Sequence, residues 1–217
     1  MHPTNRADPR KGTGFLPAPE PMNPSRLHDA IARFDAANAE DPNHVIVDGR
    51  PRPKELVYAE QMTRWLHELD ANPSEPLQLA ARAQHIRRWT IPRDSFPDGR
   101  VGYHRWRTTL QQFHAETAAE ILRSVGYDEA TIARVQSLLK KEHLKSDPEM
   151  QRLENVICLV FLENYFADFA AEHDEEKVIG IIRKTWNKMS EQGRAAALTL
   201  NLPAPARRLV ERALATQ

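Results

Sequence analysis

The sequence predicts an all-α fold: a bundle of seven to nine helices forming a single domain over residues 24–217, behind a disordered tail over residues 1–23. Three observations predict it. Apolar residues recur at helical spacing in one segment after another. Residues that start and stop helices punctuate those segments. No stretch alternates apolar and polar residues with β-branched enrichment for long enough to demand a sheet. Hydrophobic residues make up 41% and charged residues 28%, a balance that suits an ordinary globular core rather than a disordered chain.

Six of the 16 prolines fall within the first 24 residues, together with Gly12 and Gly14, and this composition packs no element. Pro24-Ser25 opens the first helix, with Leu27, Ala30, Ile31 and Phe34 on one side. The segment Asp41 to Pro53, with Asp48-Gly49 and three prolines, reads as a loop. Leu56, Met62, Trp65, Leu66 and Leu69 mark a second helix, stopped before Pro73. Leu77, Leu79, Ala80, Ala83 and Ile86 mark a third, ending near Trp89.

A long fourth helix is expected from about Tyr103 to Val125, where Gly126 supplies a left-handed C-terminal cap. Asp128 caps a fifth, with Ile132, Val135, Leu138 and Leu139 on one face. Asp147-Pro148-Glu149 opens the sixth, whose apolar residues from Leu153 to Phe169 point in nearly every direction. Such a helix is surrounded by protein. Asp174-Glu175-Glu176 opens a seventh through Ile181 and Trp186, and two shorter amphipathic segments follow.

Thirty basic and thirty acidic side chains cancel, so the whole molecule exerts no long-range pull on nucleic acid or anionic membrane. The single cysteine, Cys158, lies in an apolar run and reads as core in a reducing compartment. The longest apolar stretch, Val156 to Leu162, falls far short of the roughly 20 residues a membrane helix needs. Arg6, Arg10 and Lys11 precede no apolar run, so no secretory signal is read, and a cytoplasmic location is the expectation.

Chemistry concentrates at three places. Glu163 directly follows the run Val156 to Leu162, where a shielded carboxylate needs a cation, a metal or a proton. A structural ion pair with a neighbouring arginine is the competing reading. His85 and His114 sit on apolar stripes of the third and fourth helices and could face such a carboxylate together. Between Arg82 and Arg107 seven arginines stand against Asp94 and Asp98 only, with Trp89 and Trp106 among them. Arginine's planar fork suits bidentate recognition of phosphate or carboxylate.

The strings Ala83-Gln84-His85-Ile86-Arg87-Arg88-Trp89, Ile91-Pro92-Arg93, Tyr103-His104-Arg105-Trp106-Arg107, Phe113-His114-Ala115, Leu159-Val160-Phe161-Leu162-Glu163 and Lys184-Thr185-Trp186-Asn187-Lys188-Met189-Ser190 resemble the uncharacterised family called domain of unknown function 4202. The resemblance runs from about Leu27 to Leu214. A remoter one is to the HD superfamily of metal-dependent phosphohydrolases, which are helical bundles. There a histidine, a His-Asp pair and a later aspartate bind metal. Here Tyr58 stands in the first histidine's place, Gln84-His85 in that of the pair, and Glu163 or Asn155 near the last aspartate. The likeness of His85-Ile86-Arg87-Arg88 and Lys188-Met189-Ser190 to class I aminoacyl-tRNA synthetase signatures is coincidental, since those work only on a parallel sheet with glycines at the phosphates, whereas here arginines fill the glycine positions and no βαβ pattern exists.

The expectation drawn from residues and resemblance together is an HD-like pocket for a small phosphorylated metabolite or nucleotide. Arg87, Arg93 and Arg107 would bind phosphate, and His85, His114 and Glu163 would hold a divalent metal ion that activates water. The alternative is a non-catalytic binding module for an anionic ligand or RNA, with a degenerate metal site.

Overall fold

A computed structural model gives the fold and describes residues 24–144 and 146–215. The tail expected over residues 1–23 lies outside the described residues. The chain opens with α1 (Pro24–Ala39), a hairpin of β1 (His44–Val47) and β2 (Arg50–Pro53), then α2 (Lys54–Leu69) and α3 (Glu75–Arg82). Two single-turn 3-10 helices, Arg88–Thr90 and Arg93–Ser95, lead into the long α4 (Gly99–Ser124) and α5 (Glu129–Leu139). After them come α6 (Pro148–Asn164), α7 (Phe166–Ala171), α8 (Glu175–Lys188), α9 (Glu191–Leu198) and α10 (Ala204–Leu214).

The chain is mostly helical, with ten α-helices among the described residues against the seven to nine expected. The tenth arises because the segment Leu153 to Phe169, expected as one helix, breaks at Tyr165 (φ −126°, ψ −18°) into α6 and α7. The expected loop holds an antiparallel hairpin, His44 pairing with Pro53 and Val47 with Arg50. Asp48 and Gly49 both take positive φ, as the two-residue turns that match strand twist require. The two prolines of β2 remove donors from its ladder and suit this short edge pair.

Helix starts follow local chemistry. Asp128, Asp147, Asp174 and Ser190 each accept from a backbone N–H in the first turn of the helix they precede. Gly126 closes α4 at φ +86°, the left-handed cap expected there. Helix α3 stops short: it was expected to run to near Trp89 but ends at Arg82, and the chain tightens into i→i+3 turns. Arg87 then turns left-handed, at φ 50° and ψ 31°. Its N–H is held by Asn38 Oδ1 of α1 at 3.0 Å.

Most of the buried apolar side chains form one continuous cluster. Helix α6 runs through it, packed against α2, α3, α5, α7, α8 and α9. Cys158 sits on α6, 4% exposed, as the core reading required. Among the described residues no helix is long and apolar enough to cross a membrane.

Candidate functional site

The first turns of α2 carry Glu55 and Tyr58, three residues apart and therefore on one face. Helix α2 starts where it does because Asp41 Oδ2 accepts from the Glu55 N–H at 3.0 Å. The tight turns after α3 bring His85 against this face. Its ring stacks on Tyr58, with centroids 3.8 Å apart and planes inclined by 10°. Its Nδ1 lies 3.1 Å from Glu55 Oε2. From α4 comes His114, whose ring centroid is 6.0 Å from that of His85. His114 Nδ1 donates to the carbonyl of Ile86 at 2.8 Å, and since a carbonyl only accepts, this nitrogen carries the proton.

Burial sets the charge state of the cluster. It pushes the Glu55 carboxyl above its ordinary range, against the lowering effect of Arg88, Lys54 and His114. It drives His85 well below the usual imidazole value, and the charges of Arg88, Arg107, Lys141 and Lys54 add to that. His114 is pushed down to about 3, first by burial and then by His85. Tyr58 is raised by burial and by Glu55. Both imidazoles are therefore neutral at ordinary pH, and the Nε2 of His114 presents a lone pair.

Around this core stand cations, and their partners differ. Arg82 is fully engaged, forked onto Asp35 at 2.6 and 2.7 Å. Arg87 reaches away to Glu40 Oε2 at 3.1 Å. Arg93 donates to the carbonyls of Phe96 and Pro97 at 2.9 and 3.0 Å and so braces its own loop. Lys141 pairs with Glu154 at 2.6 Å. Arg88 and Arg107 are different. Arg88 lies 4.8 Å over the Trp106 ring, and among the described residues neither it nor Arg107 has a carboxylate partner. Both are half-buried. Both lie close enough to His85 for their charge to lower it.

The predicted metal set does not come together. His85 and His114 meet, but Glu163 does not join them. It accepts from Arg64, from Trp65 Nε1 at 2.8 Å and from Asn164 Nδ2 at 3.0 Å. The apolar run that suggested shielding ends two residues before the last residue of α6, and the Glu163 side chain that follows it is 31% exposed. The structural ion pair with an arginine is the reading that applies. Among the described residues no group of three or more His, Cys, Asp or Glu side chains is placed to hold a metal ion. With one imidazole nitrogen of each histidine already bonded and the third donor elsewhere, the donor set does not fit a divalent metal.

The carboxylate that does face the histidines is Glu55, which the sequence reading passed over. Its signal was modest: an acidic residue three positions before Tyr58, itself singled out by resemblance. Of the arginines read as phosphate ligands, Arg87 and Arg93 are committed to protein partners, while Arg107, like Arg88, forms no ion pair among the described residues. A separate cavity of about 400 Å³ between α9 and α10, with Leu198, Leu200, Leu202 and Val210 in its wall, shares no residue with this cluster.

Neither a curated protein nor a solved structure matches the chain. A family model does, described as Domain of unknown function (DUF4202), over residues 28–210. Covering most of the 217 residues, that match makes the chain a member of this family.

Proposed function

We propose that the His85 cluster binds a small phosphorylated metabolite or nucleotide, with Arg88 and Arg107 as the phosphate-binding residues. One observation carries this reading: two half-buried guanidiniums stand near neutral imidazoles and, among the described residues, neither is in an ion pair with a carboxylate. Holding cations partly out of water without a counter-charge in contact is costly, and an incoming phosphate lowers that cost. Neutral imidazole nitrogens accept hydrogen bonds from ligand hydroxyls. The stacking of Tyr58 on His85 supports kinship with HD-like sites, since Tyr58 stands in the place of the first metal-binding histidine there and His85 in that of the aspartate of the His-Asp pair. With tyrosine and glutamine in two of those places, the site reads as an HD-like pocket reworked for binding without a metal.

Charge-assisted hydrogen bonds are worth about 1.5–3 kcal/mol each. Arg88→Ala and Arg107→Ala should therefore each weaken the binding of ribose 5-phosphate about tenfold or more in calorimetric titration, with the helical circular-dichroism spectrum unchanged. Equal affinity of wild type and both variants would remove the reading.

The Glu55–His85 pair favours a second reading, in which the bound phosphoester is hydrolysed. His85 Nε2 would take a proton from water as its oxygen attacks phosphorus, and as the ester P–O bond breaks the same proton would pass to the leaving oxygen, releasing an alcohol and inorganic phosphate. Phosphate release that is lost in Glu55→Gln while ribose 5-phosphate still binds would establish it. No release from a panel of phosphomonoesters would leave the binding module.

A further inference from the structure

The phosphate reading leaves the remainder of the ligand open, and α4 carries the feature that narrows it. Tyr103, Arg107, Leu110 and His114 follow one another at spacings of four, three and four residues, so they share one stripe of the helix. The stripe descends from solvent to core: Tyr103 is 46% exposed, Arg107 is half-buried, and Leu110 and His114 are buried. Its lower end is the His114–His85 contact. Its upper end is linked to Arg88 through Trp106: the Tyr103 ring lies 5.9 Å from the Trp106 ring, over which Arg88 sits.

We propose that the ligand is a nucleoside phosphate, its base stacked on Tyr103 and its phosphate held by Arg88 and Arg107. The inference rests on the phosphate reading and adds the base to it. An aromatic ring held half in water, one turn from Arg107 and linked through Trp106 to Arg88, offers what a nucleotide needs: a flat apolar surface for the base and guanidiniums outside any ion pair for the phosphate. Tyr103 and Arg107 are one turn apart on a rigid helix, about 6 Å along its axis. A polynucleotide fits less well. The formal charge of the chain is zero, and the free guanidiniums are half-buried rather than spread along an open face.

The test is calorimetric titration of the full chain with each of the four ribonucleoside 5′-monophosphates, with ribose 5-phosphate and with inorganic phosphate. At least one nucleotide should bind about tenfold tighter than ribose 5-phosphate, equivalent to about 1.4 kcal/mol. Tyr103→Ala should abolish that advantage without changing ribose 5-phosphate affinity, and Tyr103→Phe should retain it. Ribose 5-phosphate binding as tightly as every nucleotide, or an advantage that survives Tyr103→Ala, would overturn the nucleotide and leave the phosphate reading standing. If none of the six probes binds, both fall. Tight binding of a single-stranded dodecanucleotide with none of the monophosphates would overturn the mononucleotide in favour of a polymer.

Discussion

At the scale of single residues, the cluster depends on two imidazoles kept neutral inside the protein. Since His114 is pushed down to about 3 from an unfolded value near 6.5, the unfolded chain binds more protons between these limits. Its contribution to stability is present above the unfolded value and is lost as pH falls toward the folded one; lowered His85 acts in the same sense. Glu55, raised by burial, acts in the opposite sense above its unfolded value. The melting temperature should fall between pH 6.5 and 4, and His114→Gln should flatten that slope. An unchanged slope in the variant would show that His114 does not titrate between the two states. These residues were partly legible beforehand. His85 and His114 were found from their apolar stripes, which are local properties of a helix. Glu163 was misassigned because a run of apolar residues does not reveal where its helix ends, and the break at Tyr165 puts that carboxylate at the rim.

Elements were legible where their ends are decided by nearby side chains. Asp128, Asp147 and Asp174 accept from N–H groups two or three residues ahead, so the sequence carries the whole interaction. The end of α3 was not legible, because the left-handed residue that follows is held by Asn38, 49 positions earlier in the chain. The start of α4 was set about four residues late for a related reason. Gly102 lies against the Pro97 carbonyl, and a Cβ there would come within 1.8 Å of that oxygen. Gly102→Ala must displace the loop or the helix start, at a cost of about 1–3 kcal/mol, which in a chain of this size lowers the melting temperature by about 2 °C or more. Loss of phosphate affinity should accompany it, since Arg107 rides on the same helix. A melting point equal to wild type would show that the loop yields freely.

Across the whole molecule, α6 is the axle of the bundle, as the all-round apolar pattern of its sequence indicated. Cys158 reports on its integrity. Burial pushes this thiol up to about 12, so neither access nor thiolate is available in the folded protein. Labelling by an aromatic disulfide reagent at pH 8 should proceed at the rate of global unfolding and accelerate with urea. Fast labelling in native buffer would place α6 at the surface. The helical class and the central helix could be read from periodicity, which integrates over many residues. How the cations are distributed could not, because whether an arginine is free depends on carboxylates brought in from elsewhere, as Glu40 is for Arg87 and Asp35 for Arg82.

The turn at Arg87 couples parts of the molecule that never touch a ligand to parts that would. His85 and Arg88 leave the turn on either side of one backbone pivot, the first toward Glu55 and the second across Trp106. The N–H of that pivot is gripped by an amide from α1, while its carbonyl is held by Thr90 of its own segment. Asn38 is thus a setting screw: a substitution there changes no charge in the cluster, yet it would reset the aim of an imidazole and a guanidinium together.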